Sequence, residues 1–216
     1  MLLIGLALAM DAETAWVEGD PVAAASAWAD RIDAGEVDGD LYYNLGNALY
    51  VQGRTPEALV AWRRAQLLSP RDGDIGANLE HARRQSLDRI DAPAPSTPFS
   101  PRELGLLVAL AFAIGGALTF RFPRAGAAVM GVGALLALLT VQQFRQFGQG
   151  AVVLTATEVK SAGGGGVTLF ELNPGAEVFL EQQVGSMSQI ALPDGRRGWL
   201  PSVALGVVDP RLEAPR

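Results

Sequence analysis

Two uncharged apolar blocks, residues 104–120 and 125–141, stand side by side with only Arg121-Phe122-Pro123-Arg124 between them. Each runs for 17 residues without an Asp, Glu, Lys, Arg, His, Asn or Gln. At about 1.5 Å of rise per residue each block spans roughly 26 Å as a helix, close to the ~30 Å hydrocarbon core of a bilayer. A link this short makes residues 104–141 a transmembrane helix hairpin. It leaves the segments before and after it in one compartment. The alternative, a hairpin buried in a soluble core, needs more covering surface than a chain of 216 residues offers.

Charge follows the same division. The formal net charge is −6, but residues 1–100 carry 15 acids against 8 bases, whereas residues 101–148 carry four Arg and one Glu. An acidic N-terminal part argues against nucleic acid as a partner, because a phosphate backbone needs a basic face. The chain has no Cys and a single His, His81, which removes thiolate chemistry and makes a His-based metal site implausible.

Residues 11–90 repeat on themselves with a period of 34. Trp28 and Trp62 stand one period apart, as do Ala24 and Ala58, Gly19 and Gly53, and Trp16 and Tyr50; Asn44-Leu45 recurs as Asn78-Leu79. The unit 39–72 resembles a tetratricopeptide repeat in Tyr42, Leu45, Gly46, Ala58, Ala65 and Pro70, with Leu49 where the family usually has Tyr. Gly46 and Ala58 are small enough for two helices to approach closely. Gly53 is suited to ending the first helix, Pro56 to the first turn of the second, and Ser69-Pro70 to stopping it. A degenerate unit precedes, with helices at about 11–18 and 21–34, and a helix at about 73–90 follows as a cap. The resemblance implies a concave groove that binds protein segments. Its groove-facing slots fall on Glu13, Asn47 and His81 and on Trp16, Tyr50 and Arg84, with Tyr43 beside them; contact with neighbouring helices or solvent is the alternative for each.

Residues 1–10 are apolar and too short to span a bilayer. They read as a signal-peptide remnant with Ala7-Leu8-Ala9 as a small-residue cleavage site, or as a helix packed on the first repeat. Residues 91–103 form a Pro-rich linker that ends in a helix start, with Ser100 as N-cap, Pro101 at N1 and Glu103 at N3. Within the hairpin, small residues stand four apart at Ala111/Gly115, Ala127/Gly131 and Gly133/Ala137, a spacing that lets helices in lipid touch closely. Arg121 and Arg124 favour a cytoplasmic link, against Arg102 and Arg145 on the outer flanks. With the export-like N-terminus, this favours both soluble parts outside the cytoplasm.

From residue 150 the pattern turns to short β-rich runs, at about 151–157, 167–172, 176–182, 187–192, 199–200 and 205–208. Turn signals fall at Asn173-Pro174-Gly175, Val184-Gly185-Ser186 and Pro193-Asp194-Gly195. Residues 150–208 resemble bacterial SH3-like domains, in Pro174-Gly175-Ala176-Glu177-Val178 and in the run from Leu192-Pro193-Asp194-Gly195 through Gly198-Trp199-Leu200-Pro201. Ser186-Met187 stands where many members have an aromatic residue. The glycines at 163–166 lack a following Lys and Ser/Thr, so they read as a flexible loop and not a phosphate cradle. Residues 209–216 are a tail.

No nucleophile elbow, zinc-protease motif or triad is present, so an enzyme is not expected and neither is a cofactor. The expected fold class is a multidomain membrane protein: an α-helical tetratricopeptide repeat domain, a two-helix transmembrane hairpin and an all-β SH3-like barrel. That order of parts, with Tyr43-Asn44-Leu45-Gly46-Asn47 followed by the 73–83 run, resembles the BatE-like proteins of bacterial aerotolerance operons. The resemblance implies a two-pass inner-membrane protein with both soluble domains in the periplasm. It implies protein partners among other membrane proteins of the operon, and indirectly a MoxR-type ATPase on the cytoplasmic side. The expected function is a non-enzymatic membrane-anchored adaptor; the alternative is a cell-wall binding module acting through the SH3-like part.

Overall fold

The computed structural model describes residues 11–88, 99–148 and 150–209. The signal-like residues 1–10, most of the Pro-rich linker and nearly all of the tail lie outside the described residues. Five short helices come first: α1 (Ala12–Val17), α2 (Pro21–Asp33), α3 (Gly39–Val51), α4 (Thr55–Leu68) and α5 (Gly73–Gln85). Two long ones follow, α6 (Pro101–Thr119) and α7 (Pro123–Gly148). Seven strands follow among the described residues: β1 (Gly150–Val153), β2 (Thr157–Lys160), β3 (Thr168–Leu172), β4 (Glu177–Val184), β5 (Met187–Ala191), β6 (Arg197–Pro201) and β7 (Leu205–Val207).

The 34-residue period is written in the helix ends as well as in the cores. Gly19 and Gly53 both take positive φ, +82° and +76°. After α1, Gly19 N–H donates to the Trp16 carbonyl and Asp20 N–H to that of Ala15; after α3, Gly53 donates to Tyr50 and Arg54 to Leu49. These are the same two terminating bonds one period apart, and the left-handed turn they need is the one glycine adopts without a Cβ penalty. Asp38 and Asp72, also one period apart, cap α3 and α5 by accepting from the backbone N–H of Asp40 and Asp74. Asp20 caps α2 in the same way, ahead of Pro21.

Small residues set the depth of packing. A Cβ on Gly46 would lie 2.5 Å from the Trp62 ring, so α3 seats directly on that indole. Ala15, Ala24, Ala48, Ala58 and Ala65 are fully buried around Trp28 and Trp62.

The strands form one antiparallel sheet in the order β3-β2-β6-β5-β4-β1-β7. The first expected strand, 151–157, divides at Leu154. Leu154 N–H leaves the ladder to donate to the Ala204 carbonyl, and the chain moves from pairing β4 and β7 to pairing β3 and β6. The sheet is open: β3 and β7 are its two edges and do not pair.

This overturns the expected fold class. The tetratricopeptide domain, hairpin and SH3-like barrel do not stand as separate units, because the sheet shares its core with the helices. Val152 is buried within the helical cluster and Leu154 packs against it, and a Cβ on Gly206 of β7 would lie 2.5 Å from Val60 of α4. The observed architecture is a helical array followed by an open seven-stranded antiparallel sheet, in a single small unit that carries the hairpin. The physical reason is that a sheet with one apolar face needs a cover, and α4 supplies part of it through Leu59 and Val60.

The glycine run after β2 is folded back on the sheet. Ser161 N–H donates to the Val167 carbonyl, and Gly163 lies against the Trp199 indole so closely that a Cβ would sit 2.8 Å from it.

Candidate functional site

The predicted groove residues gather into two constellations one period apart. In the first, Trp28 Nε1 donates to Glu13 Oε1 at 3.4 Å and the Trp16 ring lies 6.0 Å from that of Trp28. In the second, Trp62 Nε1 donates to Asn47 Oδ1 at 3.1 Å and the Tyr50 ring lies 5.4 Å from that of Trp62. Each is a buried indole whose N–H is satisfied by a polar side chain on the preceding helix, with an aromatic ring tilted over it. A buried indole N–H needs such a partner, which explains why the period carries Glu13 to Asn47 together with Trp28 to Trp62.

The second constellation extends onto α5. Asn78 Nδ2 donates to Asn47 Oδ1 at 3.0 Å, Tyr50 Oη donates to Gln85 Oε1, and the His81 ring meets Tyr50 edge-on at 6.0 Å. The Gln85 amide in turn lies 3.0 Å from His81 Nε2. Asn47, Tyr50 and His81 are therefore contiguous. Glu13 and Trp16 form a separate cluster, Arg84 pairs along its own helix with Glu80, and Tyr43 packs half-buried against the helical core. The sequence reading missed Asn78, Gln85 and Arg31 as members. Asn78 had a signal, since it repeats Asn44.

Arg31 joins the first cluster to the loop after α2. It reaches Glu13 at 3.0 Å and Glu36 at 2.7 Å. Glu13 is held below the ordinary carboxylate range chiefly by backbone hydrogen bonding at the start of α1, with Trp28 and Arg31 contributing. Glu36 is held below it by Arg31. A depressed folded-state value means that the contribution is complete above the ordinary carboxylate range and is lost as pH falls through the depressed one. Hydrogen exchange at the α1 and α2 amides is expected to accelerate on acidification, relative to the intrinsic rate, before that of α4. A Glu36→Gln variant is expected to flatten this dependence; an unchanged profile would show that the pair contributes nothing.

On the other side of α4 lies a buried ionic triad. Glu177, at the start of β4, accepts from Arg63 Nε of α4 and from Arg83 Nε of α5, each at 2.5 Å. Arg63 and Glu177 are 6% and 4% exposed, an interior ion pair that the partly exposed Arg83 side chain joins from the rim. Burial pushes the Arg63 guanidinium down from its ordinary value, and the neighbouring Arg83 adds to this against the pull of Glu177. Close by, Asp88 accepts from the backbone N–H of Asn173 at 2.6 Å. Arg64 donates to the carbonyls of Val207 and Val208. These contacts fix the sheet to the α4–α5 side, so the Asn47–Tyr50–His81 face is left uncovered by it.

The hairpin helices are packed on each other and, beyond the start of α6, largely exposed. Windows 102–119 and 123–141 have mean hydropathies of 1.5 and 1.8, and only 11% of each is buried. Two helices are thus long and apolar enough to cross a membrane, and the described residues leave most of both uncovered. Their contact uses Gly115, Gly126 and Gly133, against Met130, Thr119 and Ala111 respectively. Of the expected small-residue pairs, Ala111/Gly115 and Gly133 take part, while Gly131 faces open space. The start of α6 carries the expected capping box of Ser100 and Glu103. It is tied to the helical turns by Arg71–Glu103 at 2.5 Å and by Arg102 donating to the Val37 carbonyl. A cavity of about 420 Å³ lies at this junction, lined among others by Asp38, Arg71, Arg102 and Glu103.

Among the described residues, no three or more His, Asp or Glu side chains converge as a metal site would require. No family model, curated protein or solved structure matches the chain.

Proposed function

We propose that this chain is a non-enzymatic, membrane-anchored adaptor whose uncovered helical face, centred on Asn47, Tyr50 and His81, binds a segment of a protein partner. The observation that carries the reading is the side on which the sheet docks. It is fixed to α4 and to the Arg83 side of α5, leaving the half-buried Asn47 and Tyr50 and the exposed His81 on the opposite side. Aromatic side chains beside adaptable amides are the composition that protein-binding surfaces favour.

The hairpin supports the anchoring. Elements before and after it share a core, so a bilayer crossed by α6 is crossed back by α7, and the soluble unit stays on one side. We place that unit in the periplasm of a bacterial inner membrane, with Arg121 and Arg124 on the cytoplasmic side as the positive-inside bias favours. Other membrane proteins of a BatE-type operon, and through them a MoxR-type ATPase, are the partners implied by the sequence resemblance. The cell-wall alternative rested on a separate barrel, and no observation of the open sheet favours it.

The test is site-specific photocrosslinking in native membranes. A crosslinker in place of Arg84 is expected to give discrete adducts with a protein, and these are expected to fall at least five-fold when Asn47→Ala or Tyr50→Ala is added. A crosslinker in place of Val203, 86% exposed on the sheet side, is expected to give none of the same adducts. Equal adducts from both positions, or adducts indifferent to the Asn47 and Tyr50 variants, would overturn the reading.

A further inference from the structure

We propose that the tip of the hairpin, residues 120–124, is a binding site for the headgroups of anionic phospholipids; the proposal rests on the membrane reading of α6 and α7. Arg121 and Arg124 are both exposed there, between Phe120, 96% exposed, and Phe122, 56% exposed. The Arg121 guanidinium stands 5.6 Å from the Phe122 ring. The turn is held by its own backbone, with Arg121 and Phe122 N–H both donating to the Leu118 carbonyl and Gly126 N–H to that of Phe122. Two cations and two large apolar rings are thus presented together on an ordered link.

Among the described residues, no carboxylate pairs with them. Along the chain the nearest acids are Glu103 on one side and Glu158 on the other. Glu103 is 18 residues before Arg121, at the opposite end of α6, which places it roughly 27 Å away at the helical rise. There it is engaged by Arg71. The two ends of the hairpin therefore differ: the end at the soluble unit brings its own acid, and the tip leaves both guanidiniums without one. A guanidinium binds phosphate oxygens through two parallel hydrogen bonds, and long cationic side chains next to an apolar span extend to the headgroup level. The flanking phenylalanines belong at the boundary of the acyl chains. Charge complementarity then selects lipids with net negative headgroups over zwitterionic ones, by about five-fold for each arginine near the surface.

Native mass spectrometry of the full chain, released from mild detergent with equal phosphatidylglycerol and phosphatidylcholine, tests this. The wild type is expected to retain phosphatidylglycerol over phosphatidylcholine by ten-fold or more. Arg121→Gln/Arg124→Gln is expected to bring the ratio close to one, while Arg102→Gln, at the other end of α6, leaves it high. A ratio unchanged in the double variant, or lost equally in Arg102→Gln, would overturn the site. Flotation with vesicles of either lipid separates this failure from that of its premise. A wild type that floats with neither composition refutes the membrane hairpin itself, whereas one that floats with both and shows no headgroup preference refutes only the tip site.

Discussion

Glu177→Ala is expected to destabilise the protein by about 3–5 kcal/mol, the cost of stranding buried charge by removing its counter-ion. The carboxylate serves two guanidiniums at once, and Arg83 Nη2 is buried without a hydrogen-bond partner even in the intact cluster. Without Glu177 the buried Arg63 and the partly exposed Arg83 face each other with no anion between them, and their simplest relief is separation of the sheet from α4 and α5. Hydrogen exchange is therefore expected to rise first in β1, β4 and β7, with α1–α3 following only at global unfolding. The comparison that isolates charge from packing is Arg63→Met/Arg83→Met/Glu177→Leu. Replacing a buried ionic triad by apolar side chains of similar volume is commonly neutral or stabilising, so the triple variant is expected to unfold at or above the wild-type denaturant midpoint. As a surface control, Arg196→Gln removes a half-exposed pair with Asp194 and is expected to leave the denaturant midpoint essentially unchanged, since exposed pairs are screened by solvent. A Glu177→Ala protein as stable as wild type, or a triple variant as weak as the single, would show that the triad does not hold the two halves together.

That triad also marks the limit of what the sequence revealed. Helix positions were legible because their causes are local: Gly53, Pro56, Ser69-Pro70 and the Ser100–Glu103 start each act within a turn of themselves, whereas the Asp38 and Asp72 caps emerge only in the fold. The 34-residue period marked Glu13 and Asn47 as groove-facing; that each accepts from a buried indole, Trp28 or Trp62, emerges only in the fold. The hairpin was legible from composition alone. What joins the halves was not, because Arg63 and Glu177 are 114 residues apart and each reads as an ordinary surface charge. Val152 likewise alternates as any strand residue would, and nothing local says that its burial is among helices. The expectation of an independent barrel failed for this reason. Short strands with turn signals specify a sheet, but whether that sheet closes on itself or lies open against a helix is settled by a surface that another part of the chain provides. Of the seven predicted groove residues, Asn47, Tyr50 and His81 come together, and their partners Asn78 and Gln85 become visible only once α3 and α5 are side by side.

Trp62→Ala is expected to cost about 3–5 kcal/mol, as truncation of a buried aromatic to alanine does. The indole is 2% exposed and lies between Gly46 and Tyr50. Gly46 has no side chain with which to fill the space, so the cavity between α3 and α4 stays largely open. Trp62→Phe keeps most of the volume but gives up the hydrogen bond from Nε1 to Asn47, a change of about 1 kcal/mol. The repeat-related Trp28 is equally buried, yet it holds the six-residue α1, the first of the described helices. In stacked repeats each unit depends on its neighbours, and terminal ones open first. Trp28→Ala is therefore expected to expose α1 and α2 to exchange while α3–α5 and the sheet stay protected, whereas Trp62→Ala removes protection from all of them together, because α4 is the helix on which both α3 and the sheet rest. Urea unfolding of the detergent-solubilised full chain, read by far-ultraviolet circular dichroism with exchange mapped by mass spectrometry, distinguishes these outcomes. If Trp62→Ala lost less than about 1 kcal/mol, the size of a single net hydrogen bond, or frayed only α1 and α2, α4 would not be the central support of the fold, and the face proposed to bind a partner through Asn47 and Tyr50 would lose its foundation.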